Sequence, residues 1–251
     1  MLAQTWIMTG RGLRRSLRSP QLIIGTLAFP LLMFLMMLAA FGRLVTDFTG
    51  MPYVERLTPV IVLATAAFPA PVAAVGFFAD VHGGIVDRLR AMPVNPMAVL
   101  AGRVLTDVCR ALVVALLATL AGMIFGFRFA TLAGLAGFLV TVLVFGAAVS
   151  WVAVLVALRS SGVEAIQAVL DLPITLLFVL SSGFVPANAF PGWSGHVVAA
   201  SPLSRADEAL IQFALGRSAL APFLEALAWL AVIGGLAMTF ALRRYRVLLQ
   251  N

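Results

Sequence analysis

The feature that most constrains the fold is a series of apolar stretches, each close to the length of a membrane-spanning helix. The first, at residues 22–41, has no charged residue over the roughly 20 positions that a helix needs to cross the hydrocarbon core of a bilayer. A chain with 62% hydrophobic and 11% charged residues and a mean hydropathy of +1.07 is not an ordinary soluble domain. The sequence predicts an all-α polytopic membrane protein with six transmembrane helices, at about residues 22–41, 57–78, 97–125, 132–158, 163–185 and 223–242.

Residues 1–20 are basic and amphipathic. Arginines alternate with apolar residues at helical spacing, which predicts an amphipathic helix along the membrane surface. A signal peptide also begins with basic residues, but no cleavage site of small residues ahead of Arg43 outweighs the length of the apolar stretch that follows. We therefore expect this stretch to remain as the first span of a single transmembrane domain over residues 1–251.

The arginines predict how the chain is oriented. All 17 basic side chains are arginines, and with six spans they divide into twelve on one side of the membrane and five on the other, namely Arg43, Arg56, Arg128, Arg205 and Arg217. The positive-inside rule then puts both termini in the cytoplasm. An arginine-only, alanine-rich composition is typical of a GC-rich bacterial genome, so we expect the inner (plasma) membrane of a bacterium. The net charge of +7 reflects this orientation and not nucleic-acid binding.

Several kinds of chemistry are excluded. A P-loop uses lysine to reach the nucleotide phosphates, and the chain has no lysine, so we expect no ATP hydrolysis by this chain. Cys109 is its single cysteine, and His82 and His196 fall on opposite sides of the predicted membrane, so neither a disulfide within the chain nor a shared metal site is expected. No His-Glu-x-x-His or Gly-x-Ser-x-Gly motif occurs. We predict no catalytic residue, metal or cofactor of its own.

The segment 80–96 stands out because it is short, charged and bounded by turn-forming residues. Gly83-Gly84 allows a helix to stop, and Pro93 and Pro96 prevent a continuous helix. Between these breaks, Ile85, Val86 and Leu89 form one apolar stripe, with Asp87, Arg88 and Arg90 around the rest. The segment is either a solvated connection or a short helix that docks on a partner protein.

The spacing Asp80-x3-Gly84-x3-Arg88-Leu89-x3-Pro93-Val94, after the second span, resembles the first cytoplasmic loop of ABC-2 type transporter permeases, including the daunorubicin-resistance-like exporters. The resemblance implies a coupling helix that sits in a groove of a separate ABC ATPase subunit, which would bind ATP and Mg. It also implies a second permease copy or a related permease. His82-Gly83 departs from the more charged lead-in expected of relatives. The implied ATPase-coupling residues are His82, Gly83, Gly84, Ile85, Val86, Asp87, Arg88, Leu89, Arg90 and Pro93.

Spans two and five carry residues that could line a translocation path. Pro69 and Pro71 predict a kink, which either lines the path or is structural only. Carboxylates at membrane depth are expensive and point to function, so Glu164, Gln167 and Asp171 are the other candidates. The alternative for Asp171 is a buried pair with Arg103 or Arg110, or a shallow position at the interface.

Other polar residues lie near the ends of the spans. Arg103, Asp107 and Arg110 can pair along one face of span three, and we favour anchoring at the headgroups over a role in relaying a signal. The outer loop 186–222 is too apolar for a free loop, which predicts two short re-entrant helices before the last span. It resembles the capping loop of the permease family, although Ser201-Pro202 stands where relatives often have Asn-Pro. The outer-cap candidates are Pro191, Trp193 and Pro202.

Together these features predict the permease subunit of an ATP-driven ABC exporter that moves a hydrophobic or amphipathic drug or lipid outward. The alternative is an ion- or proton-coupled secondary carrier that uses Asp171 and Glu164. Such carriers often contain an internal repeat, and residues 1–125 and 126–251 show no convincing similarity.

Overall fold

The structure, a computed structural model, describes residues 20–85, 96–184 and 192–250, with side chains at 27–83, 99–184 and 192–248. Within these ranges every regular element is helical and no strand occurs. The helices are α1 (Pro20–Thr49), α2 (Tyr53–Ala67), α3 (Ala70–Asp80), α4 (Pro96–Ile124), α5 (Leu132–Arg159), α6 (Val163–Val179), α7 (Trp193–Ala200), α8 (Pro202–Ala214) and α9 (Leu220–Gln250).

Five stretches of helix in the described ranges are long and apolar enough to cross a membrane. They correspond to the first, second, third, fourth and last of the predicted spans, with the first extended at its far end beyond residue 41. The stretches are Leu27–Thr49, Tyr53–Gly83, Val99–Ile124, Leu132–Arg159 and Leu220–Leu248.

The predicted span at 163–185 is only partly helical. Its helix, α6, has 17 residues and ends at Val179, after which the chain turns through residues 180–184. At about 1.5 Å per residue the helix is roughly 26 Å long, somewhat shorter than the hydrocarbon core of about 30 Å. A sixth crossing of the bilayer therefore stays a prediction.

The core of the bundle forms around α2. Leu57, Val62, Leu63 and Ala64 are fully buried and point in different directions around this helix. A helix that is apolar all round is stable only when neighbours cover every face. Here α1, α4, α5 and α8 all pack against α2.

The predicted span at 57–78 consists of two helices separated at Phe68-Pro69. Pro69 has φ −74° and ψ −10°, close to helical values, so the chain bends without leaving the helical region. Pro71 lies in the first turn of α3, where its missing N–H needs no partner within the helix. The kink predicted from the two prolines is therefore present as a joint between α2 and α3.

The helix stop that Gly83-Gly84 allows does not occur within the described residues. The chain continues from α3 through a wide, π-helical turn at Val81–Ile85. The ring Nδ1 of His82 lies 3.0 Å from the carbonyl oxygen of Phe78, one turn earlier. Glycine permits a stop but does not impose one, and the helical turn is retained here.

Two short helices, α7 and α8, precede the last span, as the outer loop predicted. The Ser201 Oγ accepts a hydrogen bond from the Ser204 N–H at 3.2 Å, and Pro202 occupies the first helical position, so α8 has a well-formed start. Its buried residues include Leu203, Ala206 and Leu210. Whether these helices re-enter the membrane stays a prediction.

Three glycines allow close approach between helices. A Cβ on Gly122 of α4 would overlap Thr58 of α2, and Cβ atoms on Gly134 and Gly137 of α5 would overlap Phe213 of α8. The helices that pack against these glycines are thus α2 for Gly122 and α8 for Gly134 and Gly137.

Candidate functional site

The predicted ATPase-coupling residues begin at the end of α3. The His82 side chain is exposed and its ring centroid lies 4.0 Å from that of Phe78. A Cβ added to Gly83 would have no heavy atom within 4 Å. The backbone of Gly84 and Ile85 completes the last helical turn. The remaining coupling residues lie outside the described residues, namely Val86, Asp87, Arg88, Leu89, Arg90 and Pro93.

Four charged side chains connect α3 with α4 next to this segment. The Arg103 Nη2 donates to the carbonyl oxygen of Ala73 at 2.8 Å, and its Nη1 lies 3.6 Å from the Asp80 carboxylate. Asp107 receives the Arg103 Nε at 3.3 Å and the Arg110 Nη2 at 3.2 Å. Asp107 is only 8% exposed, so the centre of this network faces the inside of the bundle. The sequence analysis had instead favoured anchoring of these side chains at the headgroups.

A small cavity of about 10 Å³ adjoins the network, which is about the room of one water molecule. Its lining includes Asp107 and Arg110 of α4, Ser150 of α5, and Thr65 and Pro69 on either side of the α2–α3 joint. The structure therefore brings the predicted path residue Pro69 to the charged network, while Pro71 is buried in α3.

The other predicted path residues lie on a different surface. Glu164, Gln167 and Asp171 are all exposed along one side of α6, while Ile166 and Leu170 pack toward the bundle. Spacings of three and four residues put the three polar side chains on one helical face. The alternative of a buried pair between Asp171 and Arg103 or Arg110 is wrong, because the Asp171 side chain is exposed and, within the described residues, both arginines form their ion pairs with other carboxylates.

A second polar site, which the sequence analysis missed, lies where α2 begins. This cluster consists of Tyr53, Arg56, Ser181, Ser204 and Asp207, and it is called the outer polar cluster because its last two residues belong to the predicted outer loop. The Tyr53 hydroxyl donates to the carbonyl of Phe184 at 3.3 Å, and the Ser204 Oγ accepts the Ser182 N–H at 3.0 Å. Residues 181–184 are thus held between α2 and α8.

The outer polar cluster contains the buried side-chain atoms that lack a hydrogen-bond partner within the described residues. These are Nε and Nη1 of Arg56, Oγ of Ser181 and Oδ1 of Asp207. Asp207 is 1% exposed, and burial raises the pKa of this carboxyl well above its usual value, while the Arg56 guanidinium opposes the rise. Helical spacing could have revealed the cluster, since Tyr53 and Arg56 share one face of α2, and Ser204 and Asp207 share one face of α8.

The outer-cap candidates have different environments. Trp193 is 79% exposed at the start of α7, and Pro202 begins α8. Pro191 lies outside the described residues. Pro202 lines the apolar groove described next, and Trp193 does not.

An apolar groove of about 270 Å³ lies between α5, α6 and α9. Pro173 and Pro202 both line it, so it connects the middle of α6 with the start of α8. Proline has no N–H, so Pro173 cannot bond to the carbonyl of Val169, which also lines the groove. The walls otherwise offer hydrocarbon, so the groove fits apolar material.

Comparison with known proteins gives a consistent family. The family model of the ABC-2 type transporter matches residues 3–215. A protein named "probable doxorubicin resistance ABC transporter permease protein DrrC" from Mycobacterium tuberculosis is 30% identical over 235 residues, which is 92% of this chain and 84% of the relative. The daunorubicin resistance ABC transporter permease protein DrrB1 of Streptomyces coeruleorubidus is 29% identical over 231 residues, 90% of this chain and 80% of the relative. The chain therefore belongs to the ABC-2 type transporter family, as a multi-pass membrane subunit of an ABC transporter.

Proposed function

We propose that this chain is the permease subunit of an ATP-driven exporter that moves a hydrophobic or amphipathic drug or lipid outward. The observation that carries the proposal is the similarity, over about nine-tenths of the chain, to permeases named for doxorubicin and daunorubicin resistance. The chain would lie in a bacterial inner membrane with both termini in the cytoplasm, with six spans in one transmembrane domain.

The coupling segment would be residues 80–96, which join α3 to α4. The helices on its two sides support the proposal, because both contribute buried residues to the core and Arg103 of α4 bonds to Ala73 of α3. Its apolar stripe would fit a groove of the ATPase, and Arg88 and Arg90 would flank that contact. ATP and Mg would be bound by the ATPase alone.

A second permease copy would complete the path. The polar face of α6 supports this, because a charged residue at the centre of a lipid-exposed helix costs about 2.5–3.5 kcal/mol on insertion scales. Glu164, Gln167 and Asp171 avoid that cost if they face a partner or a hydrated path and not lipid. We assign this face to the interface between the two copies.

The apolar groove supports a substrate with a hydrocarbon or aromatic body. It is larger than a 150 Å³ cavity that binds benzene, and its lining is dominated by aliphatic and phenyl side chains. An exported amphiphile could contact this surface on its way to the path.

The test is a reconstitution of the chain with the ABC ATPase encoded beside its gene. The chain is purified in nanodiscs and assayed for ATPase capture, and inverted vesicles are assayed for ATP-dependent doxorubicin uptake. We expect capture and uptake with the unaltered chain, and loss of both with the double variant R88E/L89E. R243E, which changes an exposed arginine at the same end of the bundle, is the matched control.

Capture and uptake that both survive R88E/L89E would move the ATPase contact away from residues 80–96. A chain that captures no ATPase and supports no ATP-dependent uptake would contradict the exporter. In that case proton-driven uptake that is lost in D171N would support the carrier.

A further inference from the structure

We propose that Arg103 fixes α3 to α4, so that a displacement of the coupling segment is delivered to the joint at Pro69. The inference rests on the proposed function, because it concerns how ATPase movement would reach the membrane helices. Arg103 is thus a positioning residue for transport.

The helix α3 has the form of a lever. One end is the joint at Phe68-Pro69, and the other continues without a break into Val81–Ile85, which is the beginning of the proposed coupling segment. A helix transmits displacement along its axis because its backbone hydrogen bonds hold successive turns together. A displacement of the residues that follow Ile85 would therefore be transmitted along the axis of α3.

Arg103 contacts this lever at both ends. Its guanidinium donates to the Ala73 carbonyl at 2.8 Å, near the joint, and lies 3.6 Å from the Asp80 carboxylate at the last residue of α3. Between them the guanidinium carbon lies 5.8 Å from the centre of the Phe77 ring. Ala73, Phe77 and Asp80 recur every three or four residues, so one arginine holds almost two turns of one helical face.

The contacts continue from Arg103 to the joint. Asp107 receives Arg103 on one carboxylate oxygen and Arg110 on the other. Asp107 and Arg110 then line the cavity of about 10 Å³ that also contains Pro69. The cavity leaves room for about one water molecule beside the joint.

An arginine used only to anchor a helix among headgroups has a different environment. Arg159 illustrates this, because its side chain is exposed and its guanidinium carbon lies 5.4 Å from the centre of the Phe240 ring. The Arg103 side chain is only 26% exposed and has three hydrogen-bond or ionic partners. Lysine cannot reproduce these contacts, because its single ammonium lacks the planar fork of donors.

The test measures substrate exported per ATP hydrolysed by the reconstituted complex. We expect R103Q to capture the ATPase within about twofold of the unaltered chain and to lower export per ATP at least tenfold. R103K should be intermediate, and D80N, which removes only the distal contact, should cause a smaller loss in the same ratio. R159Q is the matched control and should leave the ratio unchanged.

A covalent link provides a test that does not depend on the stability of R103Q. In a Cys109→Ser background, D80C and R103C are joined by a short bifunctional thiol reagent, which should restore export per ATP relative to the same chain left unlinked. Linked protein that stays uncoupled would overturn the inference, as would an unchanged ratio in R103Q. Absence of ATP-driven export by the unaltered complex would overturn the proposed function and this inference together.

Discussion

The hydroxyl of Tyr53 donates a hydrogen bond to the backbone carbonyl of Phe184, 3.3 Å away and 131 positions later in the sequence. The bond connects the beginning of α2 to the segment that follows α6. Because Tyr53 is 2% exposed, water cannot replace this partner in the folded protein.

Removal of this hydroxyl should weaken the contact between the beginning of α2 and residues 181–184. Y53F leaves the Phe184 carbonyl without its donor, and we expect a loss of about 1 kcal/mol. The corresponding fall in Tm is about 2–4 °C for a chain of this size, measurable by nanodisc thermal unfolding. W193F, at an exposed aromatic residue, should leave the Tm unchanged. An unchanged Tm in Y53F would show that the bond contributes nothing.

Stability should depend on pH through Asp207, which lies in α8 outside the five long apolar helices. Burial raises its pKa in the folded protein above the value of 3.8 for an ordinary aspartate. The folded state therefore favours the neutral acid, and its stabilising contribution is present below pH 3.8 and lost as pH rises through the folded pKa. We expect the Tm to fall over that interval in the unaltered chain and to be much less pH-dependent in D207N.

The control for Asp207 is Asp47, an exposed aspartate near the end of α1, and D47N should keep the pH dependence of the unaltered chain. If D207N instead lowers the Tm at every pH, Asp207 is ionised and paired with Arg56. The double variant R56Q/D207N should then recover the Tm of the unaltered chain. Tyr53, Arg56 and Glu208 are the charged or titratable groups that act on this carboxyl, so they define the set to vary.

Gly183 should not tolerate a larger residue. A Cβ at this position would lie 2.6 Å from the Val60 Cβ and 2.9 Å from the Asp207 Oδ2, both too close for an unstrained contact. G183A should lower stability by about 1–3 kcal/mol through overpacking, read as a lower Tm and lower yield of folded protein. G162A is the control, because a Cβ there has no neighbour within 4 Å. Equal Tm values for the two variants would refute the close packing.

The polar face of α6 should be detectable as an interface between copies. In a Cys109→Ser background we expect D171C to form a disulfide between two chains under mild oxidation, while L236C on the exposed side of α9 should not. Monomer folding should be unaffected by D171C, because the side chain is exposed in the single chain. Cross-linking at 236 without cross-linking at 171 would assign the interface to α9.

Hydropathy predicted where the long apolar helices lie in the sequence, but not which helices pack against one another. The long apolar runs located five spans, and Pro69 with Pro71 located the joint in the second of them. Apolar composition cannot say which side of a helix faces protein, since lipid and core are equally apolar. The sequence therefore favoured headgroup anchoring for Arg103, and only the contacts of its guanidinium show that it faces α3.

The sequence predicted sites whose residues are close together in the chain, and it missed the site whose residues are far apart in the chain. Glu164, Gln167 and Asp171 share a face by spacing alone, and the structure keeps them together. Asp207 escaped notice because its partners on α2 and at residues 181–184 are far away in sequence. Gly83-Gly84 shows the limit of local signals, because the permitted stop was not used.

The central position of α2 has a consequence for biogenesis. The helices α4, α5 and α8, which cover α2, are synthesised after it. The faces of α2 that they cover are therefore exposed to lipid until these helices have been inserted. The helix α2 is suited to that delay, because the hydroxyls of Thr58 and Thr65 donate to carbonyls of their own helix, at Val54 (2.8 Å) and Val62 (2.7 Å). No threonine hydroxyl of α2 needs a distant acceptor during that interval. Insertion and assembly of this helix are therefore separable events, and a nascent chain truncated after α3 should already be integrated in the membrane.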